Sequence, residues 1–200
     1  MELDKVIKER ISVRKYKKLE VPWYLVAECL DAATYAPSSG NVQNWRFVVV
    51  KDKTKREIVL KYCQEQYWAL NAPVLIVVCS ELDKIGKLFG VRGEALYAVQ
   101  NCAAAIENLL LKAHEVGLGG VWIGDFDEMQ LKDLLGISPE VRPQAVIALG
   151  FSDENEKKAN RDPLDNVVYF EKYGEREDKG RKTIAPIIEN LKKSFGFKKK

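Results

Sequence analysis

The run Ala72 to Cys79, Ala-Pro-Val-Leu-Ile-Val-Val-Cys, constrains the fold more than any other stretch of the chain. Extended, it shows apolar side chains on both faces, so it belongs at the centre of a sheet and needs cover from two sides. It is far too short to span a bilayer as a helix. Elements of both periods surround it. Leu3, Val6, Ile7 and Ile11 predict an amphipathic helix over 2–11. Pro22 opens a second helix whose buried stripe is Leu25, Val26, Cys29, Leu30 and Ala33. A strand follows over Arg46–Lys51, then a helical stretch over 53–70, with Pro73–Ser80 as the central strand. Glu81 to Gly93 has little pattern, and its glycines predict mobility. Glu94–Val116 reads as the longest helix, capped by Gly117. Beyond it come a strand over Gly119–Gly124, a helix over Asp127–Leu135 capped by Asp127, and a strand over Ala145–Phe151. Val167–Phe170 reads as a strand-like run, and Ile184–Phe195 as a last amphipathic helix. Interleaved helices and apolar strands predict an α+β (α/β-like) fold, a sheet covered by helices.

The expected division is a core over 1–151 and an arm over 152–200. A charged linker, Asp153–Lys158, leaves the core, and the arm carries too little apolar content to fold alone. An arm of that kind packs across a partner subunit. The small-residue stretch Ala98–Ile106 would let another helix or subunit approach closely.

Composition removes several function classes. The 200 residues carry 32 basic and 29 acidic side chains, a net charge of +3, which is too balanced for a general nucleic-acid binder. The single histidine, His114, leaves no His-based metal cluster and no Ser-His-Asp triad. Cys29, Cys63, Cys79 and Cys102 form no C-x-x-C pair and read as buried small hydrophobes in a reducing compartment. The charged N-terminal stretch has no signal region, so the expected location is the cytoplasm, without a membrane anchor.

Four segments carry candidate chemistry. Residues 37–47, Pro-Ser-Ser-Gly-Asn-Val-Gln-Asn-Trp-Arg-Phe, join a helix to a strand. Ser38, Ser39, Asn41, Gln43 and Asn44 supply donors and acceptors of the kind a heterocycle needs, and Gly40 allows close backbone approach. The alternative is a well-capped connection. Arg10, Ser12 and Arg14 alternate, so in an extended chain they share a side and could clamp a phosphate. Taken alone, a basic surface stretch at a helix C-terminus explains them better. Arg161, stiffened by Pro163, is a second basic candidate or an ordinary linker residue. Gly117–Gly124 is glycine-dense but lies between a helix and a strand, so it fits neither the dinucleotide fingerprint nor a P-loop. Gly120 and Gly124 would let backbone lie flat against a ligand, and Trp122 adds a stacking face.

Taken together, Arg-x-Ser-x-Arg, Pro-Ser-Ser-Gly-Asn-x-Gln-x-Trp-Arg-Phe, Gly-Leu-Gly-Gly-x-Trp-Ile-Gly and Arg-x-Pro-Leu resemble the FMN-dependent nitroreductase family. The match runs in order from about residue 3 to residue 174, and Asn108-Leu109-Leu110-Leu111 adds to it. The resemblance implies a central mixed sheet flanked by helices, with a C-terminal arm exchanged across a homodimer. It implies that Arg10, Ser12 and Arg14 hold the phosphate and ribityl chain of a tightly but non-covalently bound FMN, with Arg161 closing over the phosphate. Pro37, Ser38, Ser39 and Asn41 would line the isoalloxazine, and Gln43 would reach it or the subunit seam. The backbone of Trp122, Ile123 and Gly124 would lie near its reactive N5 edge. Two departures stand out: Asn44 where the family usually has proline, and Ala159 where it often has a second basic residue. Lys157 or Lys158 could replace the latter.

The expected activity is a ping-pong oxidoreductase: NADH or NADPH gives hydride to flavin N5, and a nitroaromatic, quinone or related small oxidant takes it away. No side chain is nominated as general acid or base, and no metal is expected. Asp125 reads as a cap or surface residue rather than a catalytic carboxylate, and Cys102 as core. The rival readings are a non-catalytic flavin-binding or storage protein and an interaction protein acting through its basic arm.

Overall fold

The computed structural model describes residues 2–153 and 159–176. They fall in two compact units, Met1–Lys158 and Ala159–Lys200. The first unit begins with α1 (Leu3–Glu9) and α2 (Trp23–Thr34), then β1 (Trp45–Val50), α3 (Lys53–Tyr62), β2 (Val74–Glu81) and α4 (Leu82–Arg92). A π-helical turn, Gly93–Tyr97, leads into α5 (Ala98–Glu115), followed by β3 (Gly119–Ile123), α6 (Glu128–Leu135) and β4 (Val141–Gly150).

The four strands form one sheet in the order β1-β2-β4-β3, and all three ladders are antiparallel. Among the described residues the sheet is therefore antiparallel rather than mixed as the resemblance implied, and the parallel pairing is limited to an isolated bridge from Ser12 to Gly120 on the β3 edge. β2 lies between β1 and β4, and seven of its eight residues are buried. Val74, Ile76 and Val78 meet α2 and α5 through Val26, Cys29, Cys102, Ile106 and Leu109. Leu75, Val77 and Cys79 meet the opposite layer, with Val59 and Leu60 of α3 and Leu131 of α6. The period-2 alternation of one strand thus feeds two cores, and each fully buried aliphatic side chain contributes about 1.5–3 kcal/mol. The β2–β4 register shifts between Val78 and Cys79, which pair with Ala145 and Pro143 and leave Gln144 as the extra residue. A bulge is where a strand tolerates proline. The Gln144 amide spans the irregularity by donating to Ser80 Oγ at 2.8 Å.

Several expected elements change in extent or kind. The helix expected over 53–70 stops at Tyr62, because Gln64 and Glu65 adopt φ of 53° and 55°, and a separate 3-10 turn covers Tyr67–Ala69. α4 (Leu82–Arg92) fills most of Glu81–Gly93, where no pattern was read, and is kinked at Gly90, whose φ of 56° and ψ of −150° are not helical. Ile85 and Gly93 are buried there, and the Glu94 carboxylate fills the space where a side chain on Gly86 would stand. Gly86 and Gly93 thus serve close packing, whereas Gly90 has open space about it and takes the kink. The helix expected to begin at Glu94 starts with the π turn. β4 begins at Val141, four residues before the expected Ala145, because the bulge carries the strand past Pro143. In the second unit, Val167–Phe170 is no strand: Leu164–Val167 is one helical turn after Pro163. The second unit is otherwise marked by the Tyr169–Tyr173 ring pair at 4.8 Å and by Arg176 over Tyr169 at 5.4 Å. The expected helix over 184–195, and most of the linker over 153–158, lie outside the described residues.

Candidate functional site

The connection between α2 and β1 is strained. Gly40, Asn41 and Gln43 have φ of 58°, 55° and 48°. Glycine accepts this region and asparagine tolerates it, but glutamine does not favour it. Such positions cost on the order of 1–3 kcal/mol each and persist where surrounding structure holds them, commonly at ligand sites. Here the hold is specific. Ser38 Oγ accepts from the Gln43 amide at 3.1 Å, and Gln43 Nε2 donates to Asn41 Oδ1 at 2.9 Å. Val42 is pinned in a small core with Ile85 and Ala98. The Phe89 ring of α4 lies against Gly40, 3.0 Å from where a Cβ would stand. Ser39 turns inward: its N–H and hydroxyl donate to Asn101 Oδ1 at 3.1 and 3.3 Å. Beside the loop opens a cleft of about 470 Å³, lined by residues 40–43 together with Thr34, Arg46, Lys84 and Leu88. That volume suits a small-molecule site.

The Arg10–Arg14 segment is extended against β3. The Val13 amide donates to Gly120 O at 3.1 Å, and Ser12 bridges Gly120. Val13 is buried at 3 % exposure, while Arg14 on the following residue is exposed. Tyr16 fastens the segment from below. At 2 % exposure its hydroxyl lies 2.6 Å from Val13 O and 3.2 Å from Ala148 O, sharing its one proton between them. The Arg10 guanidinium sits 3.8 Å from the Glu107 carboxylate of α5, and that of Arg14 lies 5.8 Å from the Trp68 ring centre. The first and third motifs are therefore adjacent, along one sheet edge.

The glycines of the third motif act differently from the expectation. Gly119 is required by Val13, whose methyl would lie 2.6 Å from an added Cβ. The missing side chain of Gly120 is replaced by Leu110 and Leu149, so this glycine serves the core rather than a ligand. Gly124 is the open one: it is exposed, and only the Trp122 indole comes near. Ile123 points into the core at 2 % exposure, whereas Trp122 is 40 % exposed. Pro37 is exposed at the entry to the strained loop, and Arg161 is exposed in the second unit.

Asn101, Glu107, Phe89 and Trp68 escape sequence reading as site neighbours. Asn101 carried a usable signal, since it is a polar residue on the buried side of a helix next to Ala98, Cys102 and Ala105. Asn44, expected with the loop's other polar groups to face a ligand, is instead completely buried. α5 is the common spine, with Asn101 under the loop and Glu107 beside Arg10, about 9 Å apart along the helix axis. Burial pushes all four thiols up to about 12, so none is a nucleophile at neutral pH. Asp125 is exposed, and the helix cap is Asp127, which accepts from the Gln130 amide at 3.0 Å. Hydrogen bonds from Gln130 hold the Asp127 carboxyl below its usual range. Guanidinium, hydroxyl and amide groups supply the chemistry here, and among the described residues no cluster of three or more His, Cys, Asp or Glu could hold a metal.

A strained polar loop over a cleft at the β1 edge, with basic residues along the β3 edge of the same sheet, invites comparison with known proteins. The sequence profile of the nitroreductase family matches residues 7–70 and 61–151. The chain belongs to the nitroreductase family. A protein of Methanothermobacter thermautotrophicus named as an NADH dehydrogenase/NAD(P)H nitroreductase is 36 % identical over 180 residues, covering 86 % of this chain and 88 % of its own. An NADH dehydrogenase of Thermus thermophilus is 32 % identical, over 81 % of this chain and 92 % of its own. A crystal structure named for an NADH oxidase of Clostridium acetobutylicum superposes with a TM-score of 0.71 at 30 % identity, covering 84 % of this chain and 99 % of that one. Nitroreductase-family membership and the helix-covered antiparallel sheet together fix the fold as α+β.

Proposed function

We propose that this nitroreductase-family chain binds FMN and uses NAD(P)H to reduce small oxidants such as nitroaromatics and quinones. Family membership makes it an NAD(P)H-dependent oxidoreductase; the flavin, the acceptor class and the dimer are the proposed parts. The observation that carries the reading is the Ser38–Gln43 loop, where left-handed backbone at three positions, a polar side-chain network and a neighbouring cleft coincide.

The donor set fits FMN. Arg10 and Arg14 present planar forks suited to a phosphate dianion, with the Ser12 hydroxyl between them. The Ser38, Ser39, Asn41 and Gln43 groups can match the alternating donors and acceptors of the pyrimidine edge. Trp122 and Gly124 offer an exposed indole and an open backbone at the β3 edge, next to the Arg10–Arg14 segment. Arg161 is proposed as a further phosphate contact. When bound, FMN supplies a two-electron carrier between the nicotinamide and the acceptor. The protein's share is to orient it, to leave one face accessible and to neutralise its phosphate.

A homodimer is proposed with this reading. Leu3, Ile7 and Tyr35 are 67 %, 55 % and 77 % exposed, and a second cleft of about 420 Å³ lies between Leu3, Tyr35, Asn108 and Leu111. Exposed apolar groups on α1, the end of α2 and α5 form a face that a second copy would bury.

Anaerobic titration of the purified, flavin-loaded protein with NADH and with NADPH tests the proposal. Bleaching of the flavin band, and its return on adding a nitroaromatic or quinone, is the expected result. A flavin that both nicotinamides leave oxidised would point to a storage protein. Protein that takes up no FMN from solution would remove the reading altogether.

A further inference from the structure

Behind the strained loop lie two of the three buried polar residues among the described residues, the third being Ser80. Asn44 is 0 % and Asn101 4 % exposed. Their orientation is forced. A backbone N–H can only donate, so the Asn101 atom facing the Ser39 amide is its oxygen, which accepts at 3.1 Å and takes the Ser39 hydroxyl at 3.3 Å. The Asn101 nitrogen therefore faces Asn44 and donates to its Oδ1 at 2.7 Å. That leaves Asn44 Nδ2 buried with no hydrogen-bond partner. The Asn44 backbone carbonyl, meanwhile, accepts from the Glu81 amide at 2.8 Å, fixing Asn44 to the end of β2.

An orphaned buried amide is costly and requires a reason. An apolar pair in the same space would remove the orphaned amide, but it would leave the Ser39 N–H without its acceptor. We infer that Asn101, oriented by Asn44, is a positioning residue that holds Ser39, and through it the left-handed turn Gly40–Gln43, in the shape that receives the ring end of the flavin. The inference rests on the flavin reading for its ligand, and on the hydrogen-bond geometry alone for the anchor. Asn101 touches neither substrate nor cofactor; it acts through Ser39. The phosphate end depends instead on the Arg10–Arg14 segment, which is fastened to β3 by different contacts.

The two ends can be separated with two probes, FMN and riboflavin, which lacks the phosphate. Fluorescence titration of flavin-free protein should show Asn101→Ala weakening both by roughly the same factor, about tenfold, as expected for one or two lost hydrogen bonds. Arg14→Ala should weaken FMN and leave riboflavin nearly unchanged. Asn101→Asp keeps the acceptor for Ser39 and, once the Asn44 amide turns over, gives Nδ2 a partner, so it should recover riboflavin binding to within about threefold of wild type. Amide exchange at Ser39 in flavin-free protein reads the anchor independently of any ligand, and should accelerate about tenfold in Asn101→Ala and not in Asn101→Asp. If Asn101→Ala does not fold, Asn101→Ser carries the same expectations. Wild-type riboflavin affinity together with wild-type Ser39 exchange in the Ala variant would overturn the inference, as would equal damage from Ala and Asp. Protection of Ser39 without any flavin binding by wild-type protein would instead sink the functional reading and leave the anchor standing.

Discussion

Gly119→Ala is the sharpest perturbation the structure offers, because it tests whether the proposed phosphate clamp depends on a packing contact. An added Cβ at residue 119 would lie 2.6, 2.8 and 3.0 Å from Val13 Cγ2, Cβ and Cγ1. Residue 119 lies in a strand and Val13 is fixed by its own hydrogen bond to Gly120 O, so neither can move freely. Overpacking of this kind costs about 1–3 kcal/mol. Expelling Val13 from its 3 %-exposed site would forfeit a comparable amount, about 1.5–3 kcal/mol. The chain should adopt the cheaper response, a shift of residues 10–14 off the β3 edge. Urea denaturation of flavin-free protein should then show a loss of about 1–3 kcal/mol. FMN affinity should fall more than riboflavin affinity, since Arg10, Ser12 and Arg14 ride on the displaced segment. The variant Val13→Ala removes two of the three clashing atoms, so the double variant should be less destabilised than the sum of the singles. Additive losses, or a Gly119→Ala protein with wild-type stability and FMN affinity, would refute the argument.

Other consequences are simpler to check. Tyr16→Phe removes the proton shared between Val13 O and Ala148 O, and should cost about 1 kcal/mol by urea melt. Ellman's reagent should find no reactive thiol in the native protein and all four after denaturation, since burial pushes each up to about 12; native labelling would contradict the buried placement. Asp127 has its folded pKa depressed by Gln130, so its charged form stabilises the fold above the ordinary value of 3.8, and that contribution is lost as pH falls through the lower folded value. Asp127→Asn, which still caps but cannot ionise, should therefore flatten the acid limb of a thermal-melt series. Sedimentation should show a dimer for wild type, and Tyr35→Glu, in the exposed apolar face, should shift it toward monomer.

The residues alone determined what local periodicity and composition can encode. Val74–Cys79 could be placed at the centre of a sheet because a strand apolar on both faces has no other stable setting. Asp127 was readable as a cap for an equally local reason. The alternation at 10–14 was open between an extended segment and a helix C-terminus, and the bridge to Gly120 decides it. The loop at 37–47 was readable as denser in polar groups than a turn needs. Tertiary structure decided the rest, where meaning depends on partners distant in sequence. Gly86 and Gly93 look like signs of mobility until Glu94, Ile85 and Phe89 are seen in the space a side chain would occupy. Gly120 looks like a ligand contact until Leu110 and Leu149 fill its place. Asn101 is one polar letter in a helix, and it meets the polar loop only because folding sets it beside Ser39, sixty-two positions away. Periodicity is a property of neighbours along the chain, whereas a hydrogen bond or a steric gap belongs to neighbours in space, and only the folded chain says which residues those are.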